Sequence, residues 1–337
     1  MSSRRTTRIG NANRMHPSTM LLAAIIALIV LLAGLFLTPW GRVGGSRTAT
    51  AAATPPTAAA PAPTATRTPT ATPTESPRAS AAETAQQRAL PAATTVDLDA
   101  SLAAALPTTA GGNLTVAVLD TVSGRRATAG ATGHMYATAS IVKVDILAAL
   151  LLEAQQQGRG LTADERAGAT AMIEKSDNDA ADALWTDIGG AAGLNAANTV
   201  FGLTSTTPGT DTYWGLTTTT PDDQLHLLTA VTSDSSALNG DARAYLLDLM
   251  DSVDADQAWG VSAADEAGPT ALKNGWLPRS DTGLWVVNSI GRVTRGGREL
   301  LVVVLSDGQG SMDAGVGQVE AAAKAATSAL VTALASA

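Results

Sequence analysis

The sequence of 337 residues contains no cysteine, only 3% aromatic residues and three histidines. Without cysteine, the chain can form no disulfide, no thiolate nucleophile and no cysteine-ligated zinc site, and its redox compartment stays undecided. The histidines (His16, His134 and His226) include no pair at metal-ligand spacing. We therefore predict no metal or other cofactor. Because aromatic residues are scarce, the core has to be built from Ala, Val, Leu and Ile.

Positive charge is also scarce over most of the chain. From Val96 onward there are 13 Lys and Arg against 28 Asp and Glu, a balance of −15. A domain this acidic repels a phosphate backbone, so the composition argues against a nucleic-acid partner.

Three segments precede this acidic part. Residues 1–17 are basic and lack acids, residues 18–40 contain the apolar run Met20–Leu37, and residues 41–95 are rich in Thr, Ala and Pro. The apolar run has about the length that crosses a bilayer, and the arginines before it predict a cytoplasmic N-terminus. Residues 41–95 predict a disordered, semi-rigid stalk. We predict a single-pass signal-anchor in the cytoplasmic membrane with an extracytoplasmic domain; a cleaved signal, which would release the domain, is the alternative.

Residues 96–337 have a normal size for one domain. Their patterns predict an opening helix, two strands of which the first is the run NLTVAVLD, a helical middle, three further strands and a final helix. Within the helical middle, Thr220 followed by Pro221 and two acids predicts a capped helix start. Strands from both ends of the domain thus bracket helices. This order predicts an α+β fold (an α/β sandwich): an antiparallel sheet flanked by the terminal helices, with an inserted all-α lobe.

Ser140 precedes an apolar helical run, and Lys143 follows it by three residues. Ser is a favoured N-cap, so capping explains Ser140 when it is considered alone. A capping box, however, would have Glu or Gln at position 143, and a helix start disfavours a cation. Residues i and i+3 share a helix face, and apolar neighbours lower a lysine pKa. The pair is therefore also compatible with a serine nucleophile and a lysine general base.

Two further motifs contain residues of the kinds that such chemistry uses. Ser176-Asp177-Asn178 could begin a helix, or could supply a hydroxyl relay and an orienting amide. Lys273-Asn274-Gly275 could form a hairpin turn. If the turn instead lies at 277–283, these three residues lie on a strand, where they can present a cation and backbone N–H groups to a bound carbonyl and carboxylate.

In this order the three motifs resemble the signature of the serine penicillin-recognising enzymes, above all the class A β-lactamases and their relatives among penicillin-binding proteins. The resemblance implies a β-lactamase-like fold and an acyl-enzyme formed with a β-lactam or a cell-wall peptide. It also implies roles for individual residues. Ser140 would be the nucleophile, Lys143 its base, and Ser176 and Lys273 further catalytic groups. Asn178, Asn274 and Gly275 would bind substrate, and the oxyanion hole would consist of the N–H of Ser140 and one near Leu277.

Some positions depart from the family pattern. Asn274 stands where the family has Thr or Ser, which removes a hydroxyl that binds the substrate carboxylate. The next strand lacks an arginine for that carboxylate, and Arg279 in the preceding turn is only a loose substitute. No Glu occurs between Glu174 and Glu266, where the family's β-lactamases have the residue that activates deacylating water.

The missing glutamate implies slow deacylation and keeps two alternatives open. One is a D,D-peptidase-like penicillin-binding protein that traps β-lactams. The other is a non-catalytic module that binds cell-wall material. The sequence leaves the natural substrate and the oligomeric state open.

Overall fold

The computed structural model describes residues 96–108, 111–268 and 270–336. The predicted basic segment (1–17), signal-anchor (18–40) and stalk (41–95) lie outside these residues. Within the described residues, no helix combines the length and the apolarity that a bilayer crossing requires.

The described residues form seven strands and eight α-helices. The strands are β1 (Asn113–Asp120), β2 (Arg126–Gly130), β3 (Tyr136–Ala137), β4 (Thr218–Thr219), β5 (Ala271–Pro278), β6 (Trp285–Arg295) and β7 (Arg298–Asp307). The helices are α1 (Leu98–Ala105), α2 (Val142–Gln156), α3 (Ala163–Glu174), α4 (Asn178–Asp187), α5 (Gly190–Phe201), α6 (Pro221–Thr232), α7 (Gly240–Asp251) and α8 (Met312–Ala335).

Five strands form one antiparallel sheet in the order β2-β1-β7-β6-β5. Strand β7 is buried on both faces because helices cover the sheet on both sides. Val302 and Val304 pack in a cluster with α1 and α8, while Val303 and Leu305 pack in a cluster with α2 and α6. The predicted α+β fold, with terminal helices on the sheet and an inserted helical lobe, is confirmed.

Helix α2 forms the centre of the helical lobe. It is apolar almost all round, which is typical of a helix that neighbours enclose on every side. Ile146, Leu147 and Leu150 are fully buried, and α4, α5 and α7 pack around the helix. The N-terminal end of α2 contacts the sheet through a 3₁₀ turn at Ala139–Ile141, which packs against β5. This junction brings the three sequence motifs together.

The local capping predictions had different outcomes. Thr220 caps α6, since its hydroxyl accepts from Asp223 N at 3.2 Å, and Asp177 caps α4 through Ala180 N at 2.8 Å. Ser140 caps nothing: it lies inside the 3₁₀ turn, and no side chain caps α2. Capping therefore does not explain why a serine occupies position 140.

Candidate active site

Ser140 lies where the helical lobe meets the free edge of the sheet. The preceding residue, Ala139, has φ of 47°, a conformation that costs free energy for a residue with a Cβ and that tends to occur at functional sites. The side chain of Asn288 holds this turn. Its Nδ2 donates to Ala137 O at 2.8 Å and to Thr138 O at 3.1 Å.

Asn288 was not predicted from the sequence. It is fully buried on β6, and its Oδ1 accepts from Ser306 N on β7 at 3.0 Å. One side chain therefore joins two strands to the turn that carries Ser140. The available signal was an asparagine within the apolar run LWVVNSIG, where a buried amide needs partners.

Lys143 is fully buried and is held by the Ser176–Asn178 motif. Its Nζ donates to Ser176 O at 2.7 Å, to Ser176 Oγ at 3.2 Å and to Asn178 Oδ1 at 2.8 Å. Burial lowers the pKa of Lys143 to about 7, although the charges of Asp177 and Asp182 oppose this shift. Near neutral pH a large fraction of Lys143 is therefore unprotonated. That neutral amine keeps two N–H groups, so it makes at most two of the three donations and has a lone pair that can accept a proton.

Lys273 approaches Ser176 from β5. Its Nζ donates to Ser176 Oγ at 3.0 Å and to Asn274 O at 3.0 Å. Burial, and then the charge of Lys143, lower the pKa of Lys273 well below its usual range. The Ser176 hydroxyl thus lies between two amines, an arrangement that can pass a proton from one side of the site to the other. The Ser140 hydroxyl itself makes no hydrogen bond within the described residues.

Gly275 lets β5 lie close to the backbone of the turn that carries Ser140. A Cβ at this position would lie 2.7 Å from both Ser140 N and Thr138 O. These are backbone atoms that cannot rotate away, so any larger residue would displace the turn from the strand. The prediction that Lys273-Asn274-Gly275 lies on an edge strand is confirmed.

The pairing of β5 with β6 decides which backbone N–H faces the site. Trp285 bonds Gln309 through both its N–H (2.8 Å) and its C=O (3.0 Å), on the side of β6 away from β5. Along an antiparallel strand, successive residues point their N–H and C=O groups to alternate sides. The next residue of β6, Val286, therefore bonds its partner on β5, Leu277. The backbone N–H of Trp276 then faces the free edge. If the site holds an oxyanion, Trp276, the residue before Leu277, is therefore the strand residue whose N–H can donate to it.

Two predicted substrate ligands lie elsewhere. Asn274 points to the opposite face of β5 from Lys273, and its Nδ2 donates to Gln257 O at 2.6 Å and to Trp259 O at 2.9 Å. Arg279 lies in the turn after β5, where it pairs with Asp281 at 3.5 Å. Neither belongs to the cleft lining, so both predictions of substrate contact are corrected.

A cavity of about 320 Å³ opens over Ser140. Among its described lining residues, Asp182 is the one with a charged side chain. Trp214 covers the inner end, with Lys143 Nζ 4.9 Å from its ring centroid and its Nε1 donating to Asp182 Oδ1 at 2.7 Å. The lining residues are Ala139, Ser140, Asn178, Asp182, Thr212, Tyr213, Trp214, Gly215, Leu216, Trp276 and Leu277.

Trp214 was not predicted from the sequence, because it lies in a loop far from the three motifs along the chain. That loop, residues 202–217, is bonded to α6 through the carboxylate of Asp223. Its Oδ2 accepts from Ser205 N at 2.8 Å and from Thr206 Oγ1 at 2.7 Å. These bonds tether the start of the loop, and the hydrogen bond to Asp182 orients the indole of Trp214.

A second buried carboxyl, Asp145, lies on α2 beside this tether. The side-chain amide of Asn198, oriented with its nitrogen toward Asp145, donates to both carboxyl oxygens of Asp145 at 3.0 Å. Burial, and then the charge of Asp223, raise the pKa of Asp145 well above its usual range. Asp145 is therefore a buried structural group behind the cleft, where its surroundings favour the protonated form more than water does.

Comparison with known families gives one match over half of the chain. The family model described as the beta-lactamase enzyme family matches residues 155–333. The matched span includes Ser176 and Lys273 and begins after Ser140. A protein of Mycobacterium tuberculosis named "Putative lipoprotein LppW" is 30% identical over 173 residues, which cover 50% of this chain and 55% of that protein. The protein of the same name from Mycobacterium bovis matches equally. The chain thus spans about half the length of these curated relatives.

Solved structures with the same fold are more distant in sequence. The TLA-1 extended-spectrum β-lactamase has a TM-score of 0.62 at 19% identity, covering 70% of this chain and 99% of that one. A structure titled PBP-A has a TM-score of 0.58 at 20% identity, covering 70% and 96%. A class A β-lactamase representative from Bacteroides cellulosilyticus has a TM-score of 0.58 at 16% identity, covering 70% and 97%.

Proposed function

The chain belongs to the beta-lactamase enzyme family, and we propose that it is a serine hydrolase in which Ser140 forms an acyl-enzyme with a β-lactam or a cell-wall peptide. One observation carries this proposal. Lys143 and Lys273, which are 130 positions apart in the sequence, both donate to the hydroxyl of Ser176 beside the strained turn of Ser140. A structural role alone does not require two buried amines at one hydroxyl, because burying each of them costs free energy.

The proposed reaction uses the unprotonated form of Lys143. Lys143 takes the proton of Ser140, and Oγ attacks the carbonyl carbon of the substrate. The backbone N–H groups of Ser140 and Trp276 stabilise the oxyanion. The C–N bond then breaks, and the leaving nitrogen takes a proton through the Ser176 hydroxyl, leaving the acyl group on Ser140.

Slow deacylation is part of the proposal. Among the described residues that line the cleft, Asp182 is the one carboxylate, and one of its oxygens accepts the indole N–H of Trp214. The indole lies against Lys143, where a water-activating group would have to act. The same observation favours a second candidate, a D,D-peptidase-like protein that releases terminal D-Ala from peptides and traps β-lactams.

We also propose that the domain acts at the cell envelope, outside the cytoplasm, held by a single-pass anchor. The run Met20–Leu37 after a basic segment supports this placement, and so does the lipoprotein name of the mycobacterial relatives. Protease treatment of intact cells that express the full chain tests it. Digestion of the domain in intact cells is expected, and protection until lysis would contradict the proposal.

Incubation with a fluorescent penicillin, followed by gel analysis and peptide mass mapping, tests the acyl-enzyme. We expect one label, on Ser140. Ser140→Ala abolishes it, whereas Ser235→Ala, a matched change at an exposed serine, retains it. A folded wild-type protein without label would overturn the acyl-enzyme proposal.

Two further measurements separate the alternatives. Nitrocefin turnover compared with release of D-Ala distinguishes a β-lactamase from a D,D-peptidase. A non-catalytic binding module predicts that Ser140→Ala leaves both the affinity for cell-wall fragments and the cellular phenotype unchanged.

A further inference from the structure

The cleft over Ser140 offers negative charge to a ligand and little positive charge. Lys143 and Lys273 are 0% and 1% exposed, and their Nζ atoms already donate to Ser176 and its neighbours. Of the described lining residues, Asp182 alone has a charged side chain. A substrate that presents a carboxylate there meets no exposed cation, within a domain whose charge balance is −15.

Asp182 has one oxygen available for a ligand. The side chain of Asp182 is exposed. Asp182 follows Asn178 by four residues, so the two side chains share one face of α4. Its Oδ1 accepts from Trp214 Nε1 at 2.7 Å, which fixes the orientation of the carboxylate. Its Oδ2 makes no hydrogen bond within the described residues.

Aromatic side chains line the same cleft as Asp182. Trp214 lies beside it, and Tyr213, which is 61% exposed, lines the same cleft. The face of an aromatic ring attracts an ammonium group, and its area also buries apolar substituents. Asp182 lies about 6 Å along α4 beyond Asn178, in the direction away from Ser176. Because Ser176 serves the leaving group, this end of the cleft faces the acyl part of a substrate.

We propose that Asp182 and the adjoining aromatic wall select acyl donors whose acyl side chain carries an ammonium group next to an apolar or aromatic group. The ammonium pairs with Asp182 Oδ2 and lies against the rings of Trp214 and Tyr213. This inference rests on the proposed function, because it specifies which acyl group reaches Ser140.

Two penicillins that differ in one group test this selection. Ampicillin carries an α-amino group that benzylpenicillin lacks, and the remainder of the molecule is the same. The second-order rate constant of Ser140 acylation is measured for both, at a pH at which the ligand amine is protonated. Because any change in the reactivity of Ser140 or Lys143 affects both ligands alike, the ratio of the two constants reports recognition of the ammonium.

We expect wild-type protein to react roughly fivefold faster with ampicillin, as for one exposed ion pair with a cation–π contact. Asp182→Asn keeps an acceptor for the indole N–H and should bring the ratio to about 1. Asp187→Asn makes the same charge change at the far end of α4 and should leave the ratio unchanged. Added salt should reduce the wild-type ratio. A wild-type ratio of about 1 or below, or a ratio that Asp182→Asn leaves unchanged, would overturn the inference.

Binding to the Ser140→Ala variant separates this inference from the proposed function. Calorimetry gives the affinities of both penicillins without chemistry, and the same preference for ampicillin is expected. If neither compound acylates wild-type protein but ampicillin still binds more tightly through Asp182, the proposed function fails and the selection stands. If benzylpenicillin acylates Ser140 and ampicillin gains nothing, the selection fails and the proposed function stands. No binding preference in Ser140→Ala also overturns the selection.

Discussion

The pH dependence of Ser140 acylation tests the role of Lys143 as the base. Burial lowers the pKa of Lys143 to about 7. A group with this pKa is about 1% unprotonated at pH 5 and about 90% unprotonated at pH 8. If only the unprotonated amine takes the proton of Ser140, the acylation rate constant should rise roughly 90-fold over this range and level off above it.

Asp177→Asn is the perturbation that makes the test specific to Lys143. The charge of Asp177 is the largest contribution that raises the pKa of Lys143 against its burial. Asn caps a helix about as well as Asp, so α4 should keep its N-cap. Without the nearby negative charge, the pKa of Lys143 falls further, and the midpoint of the rate profile should move to lower pH.

The assay is stopped-flow acylation with a chromogenic β-lactam from about pH 5 to pH 8, with hydrolysis of the free compound followed in parallel. Asp187→Asn, which changes the net charge equally at the other end of α4, should keep the wild-type midpoint. A flat wild-type profile would refute the assignment of Lys143 as the base. A midpoint that moves to higher pH in Asp177→Asn would refute the electrostatic reasoning.

Further variants test the surroundings of the site. Gly275→Ala places a Cβ against two backbone atoms, and we expect acylation to fall about 100-fold; Gly317→Ala, in open space on α8, should leave acylation unchanged, and equal effects would contradict the steric argument. Asn288→Ala removes three hydrogen bonds to the backbone, at Ala137 O, Thr138 O and Ser306 N, and leaves Thr138 O only the long bond from Ile141 N at 3.4 Å, so chemical denaturation should show a loss of about 3 kcal/mol in the free energy of unfolding; a loss below about 1 kcal/mol would contradict this role. Burial and Asp223 raise the pKa of Asp145 well above its usual range, so folding takes up a proton and stability falls as pH rises above the usual carboxyl pKa. Asp145→Asn removes that loss, so its melting temperature should gain on the wild type as the pH rises above the usual carboxyl pKa; a difference that stays constant with pH would contradict a raised pKa of Asp145.

Much of the fold was predictable because its signals are local. The run NLTVAVLD predicted β1 with its observed bounds, Asn113–Asp120. Thr220 followed by Pro221 and two acids marked the start of α6, and the structure shows the cap bond. Caps and periodic patterns depend on residues within a few positions of one another, so the sequence alone carries them.

The candidate site was predictable as a set of motifs and not as a set of contacts. Asn274 was predicted to meet substrate because it stands in a motif. In the structure its amide instead donates to Gln257 O and Trp259 O, in the segment before β5. The choice of Trp276 over Leu277 depends on which pairs of the β5–β6 ladder bond inward. A shift of one residue reverses such a direction, and no motif specifies it.

The sequence by itself determined the order of helices and strands, the positions of the three motifs on them, and the absence of thiol chemistry. Only the tertiary structure decided that Lys143 and Lys273 share the Ser176 hydroxyl, that Asn288 holds the turn before Ser140, and that Trp214 and Asp182 form the inner wall of the cleft. The physical reason is distance along the chain. Helix and strand patterns need near neighbours, whereas these contacts join residues between 32 and 151 positions apart and exist only once the sheet and the lobe have packed together.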